Sequence, residues 1–478
     1  MTNEMSRKTF LWGAAGVLAS GALFGSPRVS ATPNPTGWDG LATALGGGVT
    51  TPTDGQFGAA KQVFNTTYND SKPAAVVAPQ SVADVQKAMV FASNNRIRVA
   101  VRGGGHSYIG ASTASGAMVL DMRRLPGGAS YDPASGLVTV TPATSLYDIH
   151  QVVAAAGRGI PTGTCPTVGV AGHALGGGLG AHSRHAGLLC DQLQSATMVL
   201  PNGQLAAVSA QRNPDLFWAL RGGGGGNIGV TTSLTFATFP TGEYDVVELH
   251  YPAQAFAQVL LGWQAWLQTA DRTYWALADS TTDGMGSQCR IMATGPAGSG
   301  DALSAAVIKA VGVQPDNTER HTFNYLDLVR HLAVDNLNPA PLAYLGGSDV
   351  LTSMSPNAAQ AIASAVNAFP RGAGRMLVIM HAMDGALATV APSASAFPWR
   401  RQSAMVQWYI ETSGSRDVAA SWLQSAHRTV QPYSVGGYVN YLESGQPAAR
   451  YFGSNLARLS AIRKKYDPSR LMYSGLDL

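Results

Sequence analysis

Arg102-Gly103-Gly104-Gly105-His106-Ser107-Tyr108 is the stretch on which the reading of this chain turns. It follows an alternating apolar run, Arg98-Val99-Ala100-Val101-Arg102, of the kind that forms a strand. Upstream, Pro73 to Pro79 reads as a short apolar strand. Ser81 to Asn94 opens on a serine N-cap and spaces Val82, Val85 and Met89 as a helix does. Strand, helix and strand make a βαβ unit that runs out into three glycines. Such a triplet lets backbone N–H groups converge on an anion with no Cβ in the way.

Two further clusters follow, Cys165 to Gly180 and Arg221 to Val230, and glycine makes up 55 of 478 residues, well above the ~7% of an ordinary chain. Any one cluster taken singly is best read as a surface turn. Three in series point to a large ligand whose phosphates lie against bare backbone. Gly176-x-Gly178-x-x-Ala181 matches a dinucleotide fingerprint, but the stretch from Gln194 to Val199 leads only to Asn202, with no acidic residue to hold a ribose, so a Rossmann nicotinamide site is rejected.

The balance of 32 basic against 28 acidic side chains, net +4, argues against a nucleic-acid partner. Only 13% of residues are charged, where a soluble domain usually carries about 25%, so a large core is expected. Cys165, Cys190 and Cys289 have no paired spacing, and no metal site is expected; His173, His182 and His185 read as local hydrogen-bonding residues. Residues 1–31 read as an export signal, Ser6-Arg7-Lys8-Thr9-Phe10-Leu11 being similar to a twin-arginine string, with Sec export as the alternative and no membrane anchor expected. Residues 32–63 read as a linker or irregular arm. An α+β domain is expected over 64–240, a second α+β domain with an antiparallel sheet over 241–435, and a segment completing the first over 436–478.

The motifs Arg102 to Tyr108, Gly163-Thr164-Cys165-Pro166-Thr167-Val168-Gly169, Leu216 to Gly224, and Tyr438-Val439-Asn440-Tyr441 with Tyr466-Asp467-Pro468 together resemble the berberine-bridge-enzyme-like flavin oxidases of the vanillyl-alcohol-oxidase fold, bacterial oligosaccharide- or natural-product-oxidase type. The resemblance implies a two-part PCMH-type FAD-binding domain, a substrate domain, and a tail returning to the first. It implies FAD bound bicovalently, His106 to the 8α-methyl and Cys165 to C6. The other residues it sets against the cofactor are Arg102, Gly103, Gly104, Gly105 and Ser107 in the first loop; Val168, Gly169, Gly172, His173, Gly176, Gly177, Gly178 and Gly180 in the second; and Ile228, Val230 and Asn440 beyond it.

Oxidising an alcohol requires that hydride and proton leave together. The resemblance gives the proton to Tyr441, with Tyr438 beside the substrate, Tyr108 over it, and Gln407 where some relatives carry a carboxylate. Tyr438 to Tyr441 reads as a strand, with Tyr441 facing away from Tyr438. A tyrosine of pKa near ~10 must be lowered to act as base at neutral pH, so a cation or donor is expected beside it. Val168 matches a gatekeeper that goes with O2 access and hence H2O2. A small molecule, a sugar or a glycosylated or polyketide-like product, is the expected substrate. Oxidative ring closure and passive flavin carriage are the alternatives, and oligomeric state stays open.

Overall fold

The βαβ unit forms where the pattern sets it. In a computed structural model of the chain, which describes residues 37–478 apart from 284, 285, 335 and 371, the elements are the strand Ala75–Val77, the helix Val82–Asn95 and the strand Val99–Arg102. Ser81 caps the helix, its side chain accepting from Asp84 N–H at 3.1 Å. The strand Met118–Asp121 lies between the two strands and runs parallel to both. Val49–Thr50 closes one edge of this five-stranded sheet, and Met472–Tyr473 the other, parallel to Val99–Arg102. The tail thus returns to the first domain.

The export signal over 1–31 lies outside the described residues. The linker reading of 32–63 is corrected over its described part, 37–63: Gly37–Leu45 is a helix whose Leu41 is fully buried among residues of the βαβ unit, with Trp38 packed 5.1 Å from Phe91. Apolar burial outweighs the Gly/Pro/Thr-rich composition that suggested an arm.

The second half of this domain is a five-stranded antiparallel sheet in the order Ala129–Asp132, Leu137–Val140, Val230–Ala237, Leu193–Val199, Leu205–Ser209. From Glu243 the chain builds an eight-stranded antiparallel sheet. Trp275–Thr282, Arg375–Ala382, Ala404–Glu411 and Tyr344–Leu351 lie side by side within it in that order. Alternation sorts the faces. Val378, Met380, Val406 and Trp408 enter a core with the helices Phe256–Thr269, Pro356–Asn367 and Arg416–Val430. Leu377, Ile379, His381, Gln407 and Tyr409 point the other way, into a cavity shared with the glycine loops. Among the described residues no helix is long and apolar enough to cross a membrane.

The strand reading of Tyr438 to Tyr441 is also corrected. Val439–Tyr441 is a single 3-10 turn with Tyr438 at its N-terminus. The turn draws the two tyrosines together, edge to face at 5.0 Å, where a strand would have sent them to opposite sides.

Candidate active site

All three glycine loops open on one cavity of about 470 Å³, which also receives the far face of the antiparallel sheet. From the first loop come Gly103, Gly104, Gly105, His106, Ser107 and Tyr108. The second contributes Cys165, Val168, Gly169, Gly172, His173 and Gly180, and the third Gly225, Gly226 and Gly229. The first two loops touch backbone to backbone. A Cβ on Gly104 would lie 2.3 Å from Gly169 N, and one on Gly169 equally near Gly104 N, so neither position accepts a side chain. Among the described residues the N–H groups of Gly104, Gly105 and His106 find no partner within the chain. Unpaired donors in a cradle that a Cβ would fill suit the anionic middle of a dinucleotide.

His106 and Cys165 face this cavity from opposite loops, and Thr167 lies between them. Its hydroxyl bonds His106 Nε2 at 3.1 Å and sits 4.0 Å from Cys165 Sγ. Burial pushes the His106 pKa down to about 4, so the ring is neutral. Burial likewise raises the Cys165 thiol, against a smaller opposing effect of the Thr167 hydroxyl. Phe64 stacks on the His106 ring at 4.0 Å, and the Tyr344 hydroxyl donates to the His106 carbonyl at 2.9 Å. Nothing in the motif spacing had singled out Thr167, Phe64 or Tyr344.

The sheet side of the cavity is aromatic. Tyr108 stacks on Tyr441 at 5.2 Å and meets Tyr344 edge to face at 5.1 Å, while Tyr344 lies 5.0 Å from Tyr409. Gln407 Nε2 donates to the Tyr108 hydroxyl at 2.7 Å, and its Oε1 accepts from His381 Nε2 at 3.0 Å. Tyr409 was within reach of the sequence, since it shares a strand face with Gln407.

Several expected cofactor contacts serve the framework instead. Arg102 is fully buried, pairs with Asp121 at 2.8 Å and donates to the carbonyls of Ala60 and Gln62, fastening the N-terminal region. Ile228 and Val230 are core residues, and it is their neighbours Gly229 and Thr231 that reach the cavity. Gly176, Gly177 and Gly178 do not line it either. They clasp the C-terminal segment: Gly178 N–H and Leu179 N–H both donate to the Tyr438 hydroxyl, at 2.8 and 3.2 Å, and a Cβ on Gly176 would collide with Asn440.

Tyr438 is therefore a buried pin, 2% exposed, and does not stand beside the substrate space. Asn440 does reach the cavity, donating to the His173 carbonyl at 2.9 Å and to the Tyr438 hydroxyl at 2.8 Å. Tyr441 lines the cavity too, but the expected cation or donor is not beside its hydroxyl among the described residues. Burial pushes its pKa up, and the neighbouring Tyr438 and Cys165 push the same way.

Residues 73–209 match the family described as FAD binding domain, and 437–474 the one described as Berberine and berberine like. The xylooligosaccharide oxidase of Thermothelomyces thermophilus is 28% identical over 84% of this chain and 86% of its own length. The chitooligosaccharide oxidase of Gibberella zeae is 29% identical over 88% and 90%. Among solved structures, BBE-like 1 of Physcomitrella patens superposes with a TM-score of 0.83 at 25% identity, covering 91% of this chain and 98% of that one.

Proposed function

We propose that this chain, a berberine-bridge-like FAD-linked oxidoreductase, oxidises an alcohol carbon of a carbohydrate to a carbonyl and passes the electrons to O2. The observation that carries the reading is the single cavity in which the glycine cradle meets a wall of Tyr108, Tyr344, Tyr409 and Tyr441. Aromatic faces stack on the C–H faces of sugar rings, and the phenol hydroxyls bond sugar hydroxyls. Two relatives named as oligosaccharide oxidases support the same substrate class.

When bound, FAD supplies the hydride acceptor and the route of two electrons to O2. The N–H groups of Gly104, Gly105 and His106 would hold its phosphates. His106 and Cys165 are the two residues we assign to covalent attachment. With Nε2–H donating to the Thr167 hydroxyl, the neutral imidazole would keep its lone pair on Nδ1, the nitrogen we assign to the link. Cys165 would provide the second link; burial raises its pKa, so the thiol is its resting form at pH 7. Val168, on the cavity wall, goes with O2 entry and H2O2 as product. Tyr441 belongs to the substrate wall. To act as the base it would need a lowered pKa, and among the described residues no cation or donor bonds its hydroxyl.

Export under the 1–31 signal is part of the proposal, and the mature N-terminus of secreted protein, expected after Ala31, checks it. Flavin attachment is read by acid precipitation. The pellet should be yellow in wild type and in the single variants His106→Ala and Cys165→Ala, and colourless in the double variant. A colourless wild-type pellet rules out covalent attachment. Anaerobic bleaching across mono- and oligosaccharides and aglycone alcohols, with peroxide counted per turnover in air, tests the reaction; bleaching only by aglycones overturns the carbohydrate reading.

A further inference from the structure

We propose that His381 takes the hydroxyl proton of the substrate, with Nδ1 as the accepting atom, and this rests on the alcohol-oxidase reading above. The assignment follows from a chain of three side chains. Gln407 Nε2 donates to the Tyr108 hydroxyl, which turns Oε1 toward His381 Nε2 at 3.0 Å. In this orientation of the amide its oxygen accepts, and His381 carries its proton on Nε2. The lone pair of the neutral ring is then on Nδ1. That atom has no hydrogen-bond partner among the described residues, and the ring forms part of the cavity wall 6.4 Å from the Tyr441 ring.

A general base must be unprotonated at working pH and within reach of the proton it removes. Burial lowers the His381 pKa below 6.5, with the Gln407 bond opposing, so the neutral form is the resting one at pH 7. Tyr441 has the opposite problem, since burial keeps its proton on. The groups facing His381 leave this balance intact. The C-terminal turn offers Tyr441, the first loop Tyr108, and the Ala404–Glu411 strand Gln407 and Tyr409, all uncharged at pH 7. Across the Trp275–Thr282 strand, His381 lies opposite Leu277. Asp279, next along the same face, is closed by Arg290 Nε at 2.8 Å.

The balance of the step is simple. The substrate O–H bond breaks, its proton goes to Nδ1 to give an imidazolium, and the C–H electron pair leaves as hydride while the C–O bond becomes C=O. Alcohol and O2 give carbonyl and H2O2, so that hydride and the proton held on His381 account for both hydrogens of the peroxide.

The test uses the full-chain holoenzyme in two measurements. In 15N-histidine-labelled protein, the ring signals that vanish in His381→Gln should show the Nε2–H form at pH 7 and protonation only below 6.5. Anaerobic flavin reduction by an oxidisable alcohol should fall about 100-fold or more in His381→Gln and lose its acid limb, at unchanged flavin content. Added imidazole should restore part of the rate in His381→Ala, which a merely structural loss would not allow. An Nδ1–H ring, a ring protonated at pH 7, or a wild-type rate and acid limb in His381→Gln each overturns the proposal. Bleaching by a non-sugar alcohol alone would sink the carbohydrate reading while the His381 variants are still judged on that alcohol.

Discussion

Gln407 holds two partners in opposite senses, donating to Tyr108 and accepting from His381, which an ionised carboxylate in its place could not do. Gln407→Glu replaces the donor with an anion beside the imidazole. A carboxylate favours the imidazolium, so the His381 pKa rises. The base is active only when neutral, and that form is now lost at a higher pH as acid is added. The acid limb of the flavin-reduction rate should therefore move to higher pH, read by stopped-flow absorbance from pH 5 to 8; an unmoved limb would show that His381 does not set it. This residue also marks a limit of sequence reading. The run Met376 to Met380 identifies a strand, but His381 sits one position beyond, where the apolar pattern ends, and a lone histidine announces no role until its neighbours are known. His106 and Cys165 were legible because their motifs come as contiguous strings.

At the level of elements, long periodic segments were readable and short irregular ones were not. The helix Val82–Asn95 and the strands Val99–Arg102, Arg375–Ala382 and Ala404–Glu411 fall where apolar spacing sets them. The helix Gly37–Leu45 escaped because its two glycines and Thr43 mask the one buried position, Leu41, and the Val439–Tyr441 turn because so short a segment fits a strand as well as a helical turn. Leu41→Ala separates the linker reading from the observed packing. A residue in an arm costs almost nothing to truncate, whereas a fully buried leucine costs about 2–5 kcal/mol. Urea unfolding should show that loss, and a cost near zero would restore the arm.

Across the whole molecule, one charged cluster fastens the second domain to the C-terminal segment. His427, on the helix Arg416–Val430, lies between Asp349 at 2.6 Å and Glu443 at 2.7 Å, and Arg450 reaches Asp349 at 3.1 Å. Burial alone would lower the His427 pKa, but the bonds to Asp349 and Glu443 outweigh it and raise the value from 6.5 to about 9. The folded state thus binds this proton more tightly than the unfolded chain. The stabilisation is complete below pH 6.5, diminishes above it, and is gone once pH has passed about 9. His427→Gln should flatten that part of the Tm profile between pH 6.5 and 9.5, measured calorimetrically; a parallel decline in both proteins would assign the slope elsewhere.

The edge strand Met472–Tyr473 bears on the order in which the protein comes into being. Val99 N–H donates to the Leu471 carbonyl at 2.8 Å, so the sheet that carries the first glycine loop is finished by residues the ribosome adds far later than the loop itself. The whole second domain is synthesised in the interval, and closing so long a loop is the slow kind of contact. Closing that edge is accordingly a late event in the life of the nascent chain, and until then the backbone groups of Val99 to Arg102 on that side stay unpaired.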